Sequence, residues 1–143
     1  MKIRSLQQGV GLIEVLITVL LLSTSLLALS SLQLRSLQFN NSAYLRSQAN
    51  IYAYDIIDRM RVVNGTPSDF NRQLTDPVPT GNDAVALHTR QWLNNLTGAV
   101  ASAKGAITCD NSRNCSITIT WDEQNASSEQ SEDSSTFKYS VRL

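Results

Sequence analysis

The chain has 143 residues and a mass of 15.8 kDa. This size allows one compact domain with appended segments and excludes a large multidomain enzyme. Twelve Lys and Arg side chains balance twelve Asp and Glu side chains, so the formal net charge is zero. Because no positive field covers the whole molecule, general binding to nucleic acid has no electrostatic support, and no nucleic-acid partner is predicted.

Residues 10–32 form the most apolar stretch, VGLIEVLITVLLLSTSLLALSSL, in which Glu14 is the only charged residue. As a helix this stretch would be about 34 Å long, enough to cross a hydrocarbon core of about 30 Å. Lys2 and Arg4 precede it and favour a cytoplasmic location for the first nine residues, with the rest of the chain exported. The alternative is a core helix of a soluble domain, but a domain of this size seldom encloses a helix that is apolar on all sides.

A cleaved secretory signal is a second alternative, because Ala28-Leu29-Ser30 offers the small-x-small pattern of signal peptidase sites. Cleavage there would leave a soluble secreted binding module. Two features argue against it: the apolar run is longer than the usual run of about 7 to 15 residues, and it contains a carboxylate. Since a charged side chain in a membrane costs about 2.5 to 3.5 kcal/mol, Glu14 is a candidate functional residue that requires a partner.

The beginning of the chain, MKIRSLQQG followed by VGLIEVL, resembles the processing site of type IV prepilins. The resemblance implies that residues 1–9 are a leader, that prepilin peptidase cleaves between Gly9 and Val10, and that the same enzyme methylates the Val10 amine. Glu14 is then the fifth residue of the mature chain, as in the family. The family usually has Phe or Met first and Thr second, where this chain has Val10 and Gly11. We expect Glu14 to pair with the N-terminal amine of a neighbouring subunit, which would set the register of assembly.

Beyond residue 32 an amphipathic pattern continues the helix, with Asp55 and Arg59, and Asp58 and Arg61, as ion pairs on its polar face. The predicted apolar stripe that packs on the rest of the head consists of Leu45, Ala49, Tyr52, Ile56, Met60 and Val63. The helix is predicted to end at Asn64-Gly65-Thr66-Pro67, where Gly can adopt a left-handed conformation. The stretch YLRSQANIYAYDIIDRMRVVN resembles the corresponding segment of minor pilins of the PilV type, also called type IV pilus modification proteins, and DRMR is its most specific part.

Residues 65–83 have a loop-like composition, and a second helix is predicted from about Asp83 to Ser102, with Asp83 as its cap and Trp92 as its anchor. His88 is the only histidine. Because no second His and no cluster of carboxylates or thiols accompanies it, we expect a core or interface role for His88 and no metal site.

Three strands are predicted after this helix, over Ala106–Cys109, Ser116–Trp121 and Thr136–Leu143, because apolar and polar residues alternate in the last two. The predicted fold is therefore α+β and pilin-like: a long N-terminal helix, half transmembrane and half amphipathic, packed on a small antiparallel sheet. Its segments are the leader (1–9), the transmembrane and assembly half of the helix (10–32) and the head (33–143). Residues 122–135 contain five acidic residues and are predicted to be an exposed loop.

Cys109 and Cys115 are the only cysteines, and five residues separate them. An even number of cysteines in an exported chain favours a disulfide, here at the base of a hairpin connection. A CxxC redox motif is absent, and zinc would need two further ligands.

The resemblance implies a minor pilin that helps to initiate type IV pilus assembly and supports adhesion and twitching motility. Its partners would be other minor pilins, the major pilin, prepilin peptidase/methyltransferase and the inner-membrane assembly platform. The protein would be stored in the inner membrane with its head in the periplasm. No enzymatic activity and no cofactor are predicted, because phosphate-binding and catalytic motifs are absent from the sequence. The alternatives are a minor pseudopilin of a type II secretion system and a membrane-anchored or secreted binding module.

Overall fold

The structure is a computed structural model that describes residues 11–63, 65–122 and 134–143. Its elements are listed in chain order: helix α1 (Leu12–Val62), a 3-10 helix (Pro67–Phe70), helix α2 (Ala84–Ala99) and strands β1 (Lys104–Cys109), β2 (Asn114–Asp122) and β3 (Ser134–Arg142). The α+β class, with one long N-terminal helix and a small antiparallel sheet, is confirmed.

The chain divides into two units, one ending at Phe39 and the other comprising residues 40–143. In the described part of the first unit, the residues belong to α1 and all are exposed. The second unit, called the head below, contains the end of α1, helix α2 and the three strands. Its buried apolar side chains form one hydrophobic core.

The head segment of α1 contributes to this core through the side predicted from its periodicity. Ala49, Ile56 and Met60 are buried, and Leu45, Tyr52 and Val63 are half-buried and pack against the core. Ala53 and Ile57 are also buried, so the contact surface is wider than the predicted stripe. Such a surface, wider than a single line of side chains, is typical of a helix that packs on a globular core.

Helix α2 begins where the sequence predicts but ends earlier. The Asp83 carboxylate accepts a hydrogen bond from the backbone N–H of Ala86 at 3.0 Å and caps the first turn. The helix ends at Ala99, three residues before the predicted end at Ser102, which has a left-handed backbone with φ of 59°. Trp92 is fully buried, and its indole N–H donates to the Tyr52 carbonyl of α1 at 2.8 Å.

The three strands form an antiparallel sheet in the order β1-β2-β3. The inner face of β2 is buried throughout and carries Cys115, Ile117, Ile119 and Trp121. The corresponding side chains of β3, among them Phe137, Tyr139 and Val141, alternate as predicted but are only half-buried. The inner face of the sheet is therefore fully buried at the central strand, β2, and only partly buried at β3.

The segment between α1 and α2 is more ordered than its loop-like composition suggests. Gly65 does not adopt the predicted left-handed conformation. Instead the Asp69 carboxylate accepts hydrogen bonds from the backbone N–H and the hydroxyl of Thr66, both at 2.9 Å, and a 3-10 helix begins at Pro67. This short helix places Phe70 in the core.

Candidate functional site

The N-terminal part of α1 is an apolar helix with an exposed surface. Every residue from 11 to 41 is exposed, and Glu14 is the only charged residue between Leu12 and Leu34. By length and composition this helix can cross a membrane. An apolar surface of this extent requires either lipid or other helices to cover it.

The hydroxyl groups inside this apolar segment are satisfied by the helix itself. Between Leu12 and Ser30, each Ser and Thr hydroxyl donates to a backbone carbonyl three or four residues earlier, at 2.7–3.2 Å; these residues are Thr18, Ser23, Thr24, Ser25 and Ser30. Such bonds remove the need for water, so the five hydroxyls are compatible with a membrane or a dry helix interface.

Glu14 differs from these hydroxyls because its carboxylate is exposed and has no hydrogen-bond or ion-pair partner among the residues that the structure describes. It lies in the first turn of α1, whose first backbone bonds run from the N–H groups of Glu14 and Val15 to the carbonyl of Gly11. The positive end of the helix dipole stabilises a carboxylate at this position. Gly9 and Val10, the predicted cleavage and methylation sites, lie outside the described residues.

The head segment of α1 also presents apolar side chains on the side away from the core. Tyr44, Ile51 and Val62 are 57%, 54% and 76% exposed. Spacings of seven and eleven residues place these three side chains, which we call the outward stripe, on one side of the helix, where Asp55 and Asp58 lie between them. The buried Ala49 and Ile56 lie on roughly the opposite side.

The DRMR motif has a structural role within the head. Met60 is buried. The Nε atom of Arg59 is 2.9 Å from the Asp55 carboxylate, and its Nη1 donates to the Gln91 side-chain carbonyl of α2 at 3.2 Å. Arg61 and Asp58 form an exposed ion pair at 3.1 Å. Sequence analysis gave Arg59 only an exposed ion pair, because nothing in the sequence indicates that Gln91 lies opposite it.

The cysteines form a disulfide that joins the ends of β1 and β2, where Cys109 lies opposite Cys115. In the turn between them the Asp110 carboxylate accepts from the Asn114 side-chain amide at 3.0 Å and from the backbone N–H groups of Asn114 and Ser112 at 2.8 and 2.9 Å. These bonds, first of all that from the Asn114 side chain, lower the pKa of Asp110. The disulfide and this carboxylate together hold the hairpin turn.

Two contacts that sequence analysis did not predict cover the outer edge of β1. Arg72 and Ile107 exchange two backbone hydrogen bonds at 2.9 and 3.0 Å. The Asn71 side chain bonds both backbone groups of Cys109, at 2.6 and 3.1 Å. An Asn-Arg pair in a loop has no periodic signal, so no sequence feature could have identified this edge cover.

His88 is half-buried in α2. Over residues 11–63, 65–122 and 134–143, no group of three His, Cys, Asp or Glu side chains could hold a metal ion. The candidate functional features described above are two surfaces, the apolar segment with Glu14 and the outward stripe. Comparisons of the chain with protein-family models, with curated proteins and with solved structures find no match.

Proposed function

We propose that this chain is a minor pilin, a structural subunit of a type IV pilus that helps to initiate pilus assembly and supports adhesion and twitching motility. It is stored in the bacterial inner membrane with the head in the periplasm, and it assembles with other minor pilins and the major pilin. The observation that carries this proposal is Glu14 in the first turn of α1, exposed and without a partner among the described residues, in a helix whose hydroxyl groups up to Ser30 are satisfied internally.

The physical argument concerns the cost of that carboxylate. A charged group in the apolar part of a membrane costs about 2.5 to 3.5 kcal/mol or more and is paired where it persists. An α-amine at Val10, produced by cleavage after Gly9, would supply the opposite charge. Within one helix, the first and fifth residues are about 6 Å apart along the axis, so an amine from a neighbouring helix can approach Glu14 more closely. Pairing between subunits therefore favours one axial register.

The head supports the same proposal through the outward stripe. Its three apolar side chains are exposed on a side of α1 that also carries Asp55 and Asp58. Exposed apolar side chains on the side of a helix away from its own core are suited to contact with helices of other subunits. The fold, a long N-terminal helix with a small antiparallel sheet, is the pilin-like arrangement.

The first experiment is the intact mass and N-terminal sequence of the protein recovered from its native membrane. The expected N-terminus is methylated Val10. A start near Ser31 would mean that Glu14 is removed with a signal peptide, and an intact Met1 would mean that no leader is cleaved. Either result contradicts the proposal.

A second experiment tests the role of Glu14 with a matched control. Glu14→Gln keeps the size of the side chain and removes its charge, whereas Thr18→Val removes a hydroxyl that is satisfied within the helix. We expect Glu14→Gln to reduce recovery of other pilins in a pull-down about tenfold, and Thr18→Val to leave it unchanged, since a lost pair in a low dielectric costs more than about 1.4 kcal/mol. Equal recovery with both variants would contradict the assembly role.

A further inference from the structure

The two edge strands of the sheet, β1 and β3, differ in whether described residues form hydrogen bonds with their outer backbone groups. On β1 the segment after the 3-10 helix occupies the outer edge: Arg72 pairs with Ile107, and the Asn71 side chain bonds Cys109. These contacts prevent another strand from pairing there. Uncovered strand edges bind other strands readily, and proteins usually protect them. β3 forms the other edge of the sheet.

The direction of the backbone groups in β3 follows from the covered edge. In an antiparallel sheet the N–H and C=O of one residue point to the same side, and the side alternates along the strand. Because Cys109 and Ile107 bond outwards, their partners Cys115 and Ile117 direct their own backbone groups towards β3. Their partners in β3 are Val141 and Tyr139. The remaining alternate residues of β3 therefore direct their backbone groups outwards: Ser134, Thr136, Lys138, Ser140 and Arg142.

No residue in the described parts of the chain makes a hydrogen bond to these outward backbone groups. The edge is nine residues long, longer than the about five or six residues of an average strand. It therefore offers five N–H groups and five C=O groups in regular spacing, enough to pair with an added strand.

Side-chain chemistry defines the strand that would fit. On the outer face of β3, Lys138 and Arg142 are exposed and form no salt bridge with a described residue, although Arg142 lies close enough to the Asp110 carboxylate to lower its pKa. On the inner face Phe137 and Tyr139 are only half-buried, and the Tyr139 ring is 5.0 Å from that of Tyr54 of α1 between centroids. A complementary strand would carry acidic side chains on its outer face and apolar side chains on its inner face.

A second copy of β3 does not meet this requirement. Antiparallel pairing of two β3 strands about their common centre, Lys138, would place the two Lys138 side chains directly opposite each other. Like charges in this position destabilise a strand pair. The edge therefore favours a different protein as partner.

We propose that the outer edge of β3 binds an extended acidic segment of another protein by antiparallel strand addition. Main-chain hydrogen bonds at the outward residues supply affinity, and Lys138 and Arg142 select carboxylates at every fourth position of the added strand. This goes beyond the proposed function, because it concerns the head alone and holds whether or not α1 enters a fibre.

The probe is the acetylated, amidated peptide Glu-Val-Thr-Ile-Glu-Val-Thr-Val-Thr, which places its two Glu residues opposite Arg142 and Lys138 in antiparallel register. A control peptide carries Lys at both Glu positions. Binding to the full chain in detergent is measured by fluorescence anisotropy, and hydrogen exchange of the β3 amides is followed by NMR. The acidic peptide should bind, and it should slow exchange at Lys138 and Ser140, whose amides are expected to exchange faster than that of Tyr139 in the isolated chain.

Three variants test the geometry. Lys138→Glu should weaken binding about five- to tenfold, whereas the matched change Lys104→Glu, which is exposed on β1 at the other edge, should leave it unchanged. Ser140→Pro removes an N–H group that points outwards and leaves the hydrogen bonds between β3 and β2 intact. It should therefore abolish peptide binding, while the Tyr139 amide stays protected from hydrogen exchange.

Four results would overturn the proposal. They are equal binding of the acidic and basic peptides, no binding of the acidic peptide, protection of the Lys138 and Ser140 amides in the isolated chain, and a loss of binding in Lys104→Glu equal to that in Lys138→Glu. Self-association of the chain through β3 would also overturn it, since a second copy would then be the partner. None of these results bears on where the chain begins after processing, so the two proposals can fail separately.

Discussion

Among the described glycines of the head, Gly105 leaves the least space for a Cβ atom. It is buried in β1, and a Cβ added there would collide with the six-membered ring of Trp92. The distance from this Cβ to the ring atom Cζ3 would be 2.7 Å, and a second ring atom, Cη2, would also be too close. Trp92 cannot withdraw easily, because it is fully buried and its indole N–H bonds the Tyr52 carbonyl. We therefore expect Gly105→Ala to reduce the free energy of unfolding by about 1–3 kcal/mol, as overpacking does. Urea denaturation of the full chain in detergent measures it.

Gly98→Ala is the matched control for this substitution. Gly98 lies near the end of α2, and apart from its chain neighbours and the nearby backbone of its own helix, nothing lies within 4 Å of the position that its Cβ would occupy. Because Ala loses less backbone entropy than Gly in a helix, the control should raise stability by about 0.5–1 kcal/mol. Opposite signs for the two Gly→Ala changes support the packing argument, and a neutral Gly105→Ala would refute it.

Asp110 gives the hairpin turn a dependence on pH. Its pKa is lowered, chiefly by the hydrogen bond from the Asn114 side chain and then by backbone N–H groups. A carboxyl whose pKa is lower in the folded state stabilises that state above the unfolded pKa, about 3.9 for Asp, and loses this contribution as the pH falls through the folded pKa. We expect the Asp110 carboxyl carbon to titrate below pH 3.9 by NMR, together with the amides of Ser112 and Asn114. A midpoint at or above about 3.9 would contradict the prediction.

At the scale of elements, the disulfide is the main covalent restraint on the sheet. It closes a loop of seven residues between β1 and β2, for which the chain-entropy model gives about 2.4 kcal/mol. We expect the double variant Cys109→Ala, Cys115→Ala to keep its fold and to lose up to about 2.4 kcal/mol in urea denaturation. Unmodified protein with reducing agent should show the same loss. Stability equal to that of the oxidised protein would show that the bonds of Asp110 hold the turn without the disulfide.

Periodicity predicted the long helices and strands because each has one side in the core. It identified the buried side of α1 through Ala49, Ile56 and Met60, and the alternation of β2 and β3. It could not show that Phe137 and Tyr139 of β3 are only half-buried, because alternation identifies the inner face of a strand and not how completely other elements cover it.

The segment between α1 and α2 was predicted least well. Its composition predicts a loop, yet Phe70 is buried and Arg72 pairs with β1. Arg72 and Ile107 are 35 positions apart in the sequence, and no local pattern encodes their pairing or the burial of Phe70. For the candidate site, the apolar segment and Glu14 were evident from the sequence, whereas the link from Arg59 to Gln91 and the outer edge of β3, which no described residue bonds, required the structure.

At the scale of the whole molecule, α1 belongs to both units and presents apolar side chains in each. In the unit ending at Phe39 they are exposed on all sides of the helix. In the head they occur on two sides, one in the core and the other forming the outward stripe. Stability of the head requires only the first of these two sides. The outward stripe is the apolar part of this helix segment that the core of the head does not use, and under the proposed function other subunits would cover it.

Substitution in the outward stripe separates folding from assembly. Ile51 is 54% exposed, so Ile51→Glu should change the free energy of unfolding by less than about 0.5 kcal/mol. A charge there opposes helix packing, so under the proposed function we expect recovery of pilins with this chain in a pull-down to fall about tenfold. Asn50→Glu adds the same charge at an exposed position on another side of the helix and should change neither quantity. Full recovery of other pilins with Ile51→Glu would show that assembly does not bury the outward stripe, and the proposed function would then depend on Glu14 and the apolar segment alone.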